Sequence, residues 1–119
     1  MTVRKLLFLL CVVSLLSLPV LADGEAATVK GEVLDLACYV SHDAHGDDHA
    51  KCAERCVKGG QPMGLLAEDG TVYVLFADHA DDAAYKQAQS YAGKTVEVSG
   101  PMAEKAGMKG ITVHAVKEL

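Results

Sequence analysis

The stretch from Cys38 to Cys56, CYVSHDAHGDDHAKCAERC, is too polar for the inside of a sheet and too rich in soft ligands for an ordinary surface loop. It contains three of the chain's four cysteines and three of its five histidines. A small chain that includes such a stretch has to build its core from the segments on either side and present this one as an insertion. A helix opened by Gly46-Asp47-Asp48 sets His49, Cys52 and Cys56 at i, i+3 and i+7, within one narrow stripe of its surface, and His45 extends the stripe by one turn. Lys58-Gly59-Gly60 then supplies a basic last turn and a glycine stop.

The chain begins with Arg4-Lys5, an almost unbroken apolar run from Leu6 to Leu18, and Val20-Leu21-Ala22 before the acidic Asp23. That is the charged, apolar and small-residue order of a secretory signal peptide cleaved after Ala22. The run is shorter than the roughly 20 residues that span a bilayer, and Pro19 interrupts its end, so a retained anchor is not expected. The expected product is periplasmic or secreted and has no membrane attachment. Removing 22 of the 119 residues leaves 97, enough for one small domain. Losing Arg4 and Lys5 takes the formal net charge from −5 to −7. So acidic a domain is repelled by phosphate backbones, which removes nucleic acid from the expected partners and leaves a metal ion or a periplasmic protein. Cys11 departs with the leader. Three cysteines remain, an odd number that admits one disulfide and a free thiol, a metal site, or pairing to another chain.

Residues 23–27 are small and charged and read as a flexible lead-in to a single domain over residues 28–119. From Thr28 to Cys38 the apolar residues first share the face of Val29 and Val33, then that of Leu34, Leu36 and Cys38, which predicts a strand with a bend between Val33 and Leu34. After the insertion, residues 38–60, a hairpin is expected. Its strands are Met63 to Ala67 and Thr71 to Ala77, joined across Glu68-Asp69-Gly70. Ala84, Ala88 and Tyr91 follow at helical spacing, between the acidic Asp78, Asp81 and Asp82 and a stop at Gly93. Thr95 to Ser99 alternates with Val96 and Val98 inward. A loop from Gly100-Pro101 to Gly107 leads to a last strand, Gly110 to Lys117, with Ile111, Val113 and Ala115 inward.

Strand, helical insertion, strand, strand, helix, strand, strand describes a mainly β chain with two helices, of α+β class. A bent first strand and a helix between the third and fourth strands give the order of a five-stranded OB-fold barrel. Closure removes the long exposed edges that so short a domain would otherwise present. The run GEVLDLACYVSH followed by HAKCAERCVKGGQPMGLLAEDGTVYVLF resembles a group of small exported bacterial OB-fold-like proteins with a Cys/His-rich insertion after the first strand. The resemblance covers most of the mature chain. It implies a fold and an exported location and leaves the activity to be argued from the residues.

Those residues support three chemistries. Cys38, His49, Cys52 and Cys56 make a tetrahedral set suited to zinc or copper, with His42 and His45 as substitutes. Alternatively a disulfide joins Cys38 to Cys52 or Cys56 and staples a small secreted barrel that binds a peptide, a sugar or a protein. A thiol left beside a disulfide would serve redox exchange, with Lys51, Arg55 or a protonated His49 lowering a thiol pKa and Cys52 the better placed. The absence of Cys-x-x-Cys weakens this third chemistry, and the absence of Cys-x-x-Cys-His excludes covalent c-type haem. Met63, Met102 and Met108 are expected to pack, His79 and His114 to be solvated, and Asp78, Asp81 and Asp82 to serve a helix N-terminus. No nucleophile elbow, phosphate loop or paired-carboxylate motif is present, so a binding or carrier role is favoured over catalysis.

Overall fold

A computed structural model describes residues 25–119. The expected leader, residues 1–22, and the start of the lead-in lie outside the described residues. The first strand, β1 (Glu25–Asp35), is the seam on which the fold closes. Its first part pairs antiparallel with β4 (Thr95–Lys105), from Glu25 opposite Met102 to Glu32 opposite Thr95. Its second part pairs with β2 (Met63–Ala67), from Gly31 opposite Ala67 to Asp35 opposite Met63. β2 turns into β3 (Val72–Ala77), β3 lies parallel to β5 (Met108–Val113), and β5 returns antiparallel to β4. The order β1-β2-β3-β5-β4 and back to β1 is a closed five-stranded OB-fold-like barrel, and β6 (Ala115–Glu118) runs beside the first half of β4.

The change of partner along β1 falls at Gly31 and Glu32, which face both neighbours, two residues before the bend expected between Val33 and Leu34. Steric room sets the place, because a Cβ on Gly31 would run into the Leu66 carbonyl. Beyond it Val33, Leu34 and Asp35 are all buried, since the barrel covers one face and the helical insertion the other. The flexible lead-in is corrected in part, because Glu25 to Ala27 already pair with β4. The loop expected from Gly100 to Gly107 is also a correction: β4 continues through Pro101 to Lys105 and turns tightly into β5, whose Met108 faces Lys105.

β5 and β6 are two halves of one last strand. Ile111 lies opposite Met102, but Ala115 lies opposite Ser99, so the last strand has one extra residue between those pairs. This bulge turns Ala115 outward, against expectation, and packs Val116 on the core instead.

Three α-helices are present among the described residues where two were expected. The additional one, α1 (Leu36–His42), follows β1 without a break. A short 3₁₀ turn, Asp47–His49, then leads into α2 (Ala50–Lys58), and α3 (Ala83–Gln89) fills the interval between β3 and β4. The insertion therefore runs from Leu36 to Pro62, wider than residues 38–60. Ala53 and Val57 of α2 and Ala88 of α3 join Val33, Leu65, Val96, Val98, Ile111 and Val113 in one core, so the two helices plug the barrel. Burial of Val57 contributes on the order of 2 kcal/mol to holding α2 there.

Gly31→Ala is expected to destabilise the protein by about 3 kcal/mol, because neither the added methyl nor the Leu66 backbone can move without opening the seam. The denaturation midpoint measures this, and an unchanged midpoint would show that the seam can relax.

Candidate metal centre

Asp35 is the last residue of β1 and is 1 % exposed. Its side chain caps α1: Oδ1 accepts hydrogen bonds from the amides of Ala37 at 2.9 Å and Cys38 at 3.3 Å. The cap places Cys38 in the first helical turn, which corrects its expected position at the end of the strand. Leu36-Ala37-Cys38-Tyr39-Val40 has the apolar and β-branched character of a strand, and the buried cap overrides it. The Leu36 amide also donates to the Pro62 carbonyl at 3.0 Å, tying the start of the insertion to its end.

The other side of the centre is positioned by α2. Ahead of it the Gly46 amide donates to Glu32 Oε2 at 2.8 Å, which anchors the loop to the barrel. At its start Ala50 lies so close to Gly93 that a Cβ there would stand 2.5 Å from the Ala50 Cα. Near its end Gln89 Nε2 donates to the Val57 carbonyl at 3.0 Å, and Gly59 closes the helix after Lys58 as expected. His49 is thereby held at the N-cap position of α2, with Cys52 and Cys56 on the following turns.

These two constructions meet. One ligand atom from each of Asp35, Cys38 and His49 lies within 4.8 Å of the other two. Asp35 Oδ2 and His49 Nε2 are both buried and have no hydrogen-bond partner among the described residues. Two such orphans on residues of one cluster are costly unless something satisfies them, and a cation can satisfy both. Cys38 and Cys56 are half-buried free thiols, and Cys52 is an exposed one.

The electrostatics describe the centre without a cation. Interaction of the Cys38 thiol with the Asp35 carboxylate, then burial, then the charges of Asp35, Cys56 and Cys52 push the Cys38 pKa up to about 11. Burial, then the Cys52 thiol, then Asp35 also raise that of Cys56. Burial acts to raise the Asp35 carboxyl, but the approach of the Cys38 thiol, the amides of Cys38 and Ala37, and the Cys56 thiol outweigh it and hold the group below its ordinary value. The thiols approach the carboxylate without completing a hydrogen bond to Oδ2. Thiols with raised pKa are poor nucleophiles at neutral pH, the reverse of an activated redox cysteine.

Of the residues expected from the sequence, Cys38 and His49 stand at the centre, whereas Cys56, near Asp35, and the exposed Cys52 lie outside the 4.8 Å cluster. The two expected substitutes stand elsewhere. His42 ends α1 and is exposed, whereas His45 packs its ring edge on Tyr39, with Glu32 and Asp43 each 3.9 Å away. Met63 is buried in the core, Met102 packs against it, and Met108 is exposed. His79 is exposed, and exposed His114 meets Asp78 at 2.7 Å. The residue that sequence reasoning missed is Asp35. Its signal was a single acid inside the run Val33-Leu34-Asp35-Leu36-Ala37, three positions ahead of a cysteine.

A carboxylate, an imidazole and a thiol within 4.8 Å of one another form a donor set that can hold a metal ion. No family model, curated protein or solved structure matches the chain.

Asp35→Asn keeps an N-cap and removes the charge that most strongly holds the proton on Cys38. Cys38 in this variant is expected to alkylate faster than in the wild type between pH 7 and 9, since its pKa falls from about 11 toward the ordinary 9.0. Peptide mapping after iodoacetamide labelling of the metal-free protein reads the rate. Equal rates would show that the carboxylate does not control the thiol.

Proposed function

We propose that this protein is an exported zinc-binding domain in which Asp35, Cys38, His49 and Cys56 hold the ion. The observation behind this reading is the pair of buried, unpartnered atoms, Asp35 Oδ2 and His49 Nε2, beside the Cys38 thiol. Cys56 is the fourth ligand because it is half-buried and interacts with Asp35, whereas Cys52 is exposed.

Zinc is favoured over copper(I) by the carboxylate. Thiolate and imidazole suit both ions, but a buried hard oxygen carrying negative charge suits a divalent ion and wastes its desolvation on a soft monovalent one. A carrier or binding role is favoured over catalysis, since the thiols of Cys38 and Cys56 have raised pKa values and are not activated as nucleophiles. Export rests on the signal-like residues 1–22. Thiol-disulfide exchange is the weaker reading, given the raised pKa values of Cys38 and Cys56.

Native mass spectrometry of the reduced protein after reconstitution is expected to show one zinc per chain, and Asp35→Asn to weaken its binding by about tenfold or more. Occupancy below about a tenth of an equivalent would overturn the reading. A denatured mass two units below the reduced value, in protein that takes up no zinc, would establish the disulfide staple in its place.

A further inference from the structure

Asp35, Cys38 and His49 cluster within 4.8 Å of one another, Cys56 lies outside that cluster near Asp35, and Cys52 lies near Cys56, one donor more than the four a tetrahedral ion takes. They are graded by depth. Asp35 and the His49 Nε2 are buried, Cys38 and Cys56 are half-buried, and Cys52 is exposed. Cys52 stands one helical turn from both His49 and Cys56, and its thiol interacts with that of Cys56. The additional donor is therefore the outermost one and stands one helical turn from two inner ligands.

The links that hold α1 and α2 on the barrel do not run through the centre's two unpartnered atoms. The Asp35 cap, the Glu32 link to Gly46, the Gln89 link to Val57 and the burial of Ala53 and Val57 fix α1 and α2 on the barrel. An ion that satisfies those two atoms but closes none of these links can leave without unfolding the domain, unlike the ion of a small zinc finger.

From this gradient we propose that Cys52 is an exchange ligand and that zinc is cargo, passed between the buried centre and a thiol- or imidazole-bearing acceptor through the Cys52 sulfur. This step rests on the zinc-binding reading above. On the way out the Cys52 thiol gives its proton to solvent and its sulfur bonds the ion as the Asp35 oxygen lets go. The acceptor's own donor atoms then replace Cys38, His49, Cys56 and last Cys52 on the ion, any acceptor thiol giving its proton to solvent. Zinc stays divalent throughout, no electrons are exchanged, and the released thiolates recover protons from solvent. Uptake is the same path reversed. Cys56→Ser, by contrast, removes a holding ligand and speeds release.

Zinc transfer from the loaded protein to 4-(2-pyridylazo)resorcinol, followed by stopped-flow absorbance, tests the step. Cys52→Ser and Cys52→Ala are expected to bind one zinc per chain with affinity near that of the wild type. Both are expected to transfer it about tenfold more slowly, a direction opposite to that of Cys56→Ser. The wild-type rate is expected to rise with acceptor concentration. Transfer within about twofold of the wild type in both Cys52 variants would overturn the exchange role. So would loss of stoichiometric zinc in either, which would make Cys52 a holding ligand. A wild-type protein that takes up no zinc would instead overturn the binding reading and the exchange role with it.

Discussion

Everything at the candidate centre depends on one buried carboxylate. Asp35 uses one oxygen to cap α1 and leaves the other unpartnered beside Cys38 and His49. A buried acid with half of its hydrogen-bonding capacity unused is unfavourable in a domain this small, and the sequence retains it where an apolar residue would pack. The cap settles where β1 stops, and so where Cys38 points into the fold from a helix and not from a strand. Structure and chemistry thus draw on the same side chain, and they are separable only because its two oxygens have different tasks.

The barrel gives that side chain its setting. β1 is shared between β4 and β2, so its far end emerges from the most constrained part of the sheet. The bridge from Val33 to Ala92, with Gly93 donating to the Val33 carbonyl at 2.7 Å, holds the same end from the side of α3. α2 then packs on Gly93 and on the core through Ala53 and Val57. The donors therefore come from two elements that each rest on the barrel, which is how rigid elements fix a site better than a loop alone.

Most of the barrel was legible in the sequence because its strands alternate cleanly and its turns have their own chemistry. Val96 and Val98 face inward as their spacing required, and Asp69-Gly70 makes the hairpin between β2 and β3. Three places were not legible, each for a physical reason. α1 is written in residues that favour strands, so only its cap betrays it. The bulge near His114 adds one residue to an otherwise regular alternation, which periodicity cannot register until the pairing is known. Asp35 looked like an acid at a strand end, and its role as a donor follows from burial that no local pattern records. At the centre itself the helical spacing of His49, Cys52 and Cys56 was readable, whereas the exclusion of His42 and His45 depends on the path of the loop tied to Glu32.

Asp35 and Met63 face each other across the β1–β2 ladder, so the insertion leaves the barrel and returns to it at neighbouring positions. Loop-closure cost grows only slowly with length, and a segment whose ends are already adjacent can lengthen or shorten without shifting the register of any strand. The exposed turns of this Cys/His-bearing stretch can accordingly change in length far more freely than the strands beneath it. Selection can retune which donors it offers while the barrel stays as it is.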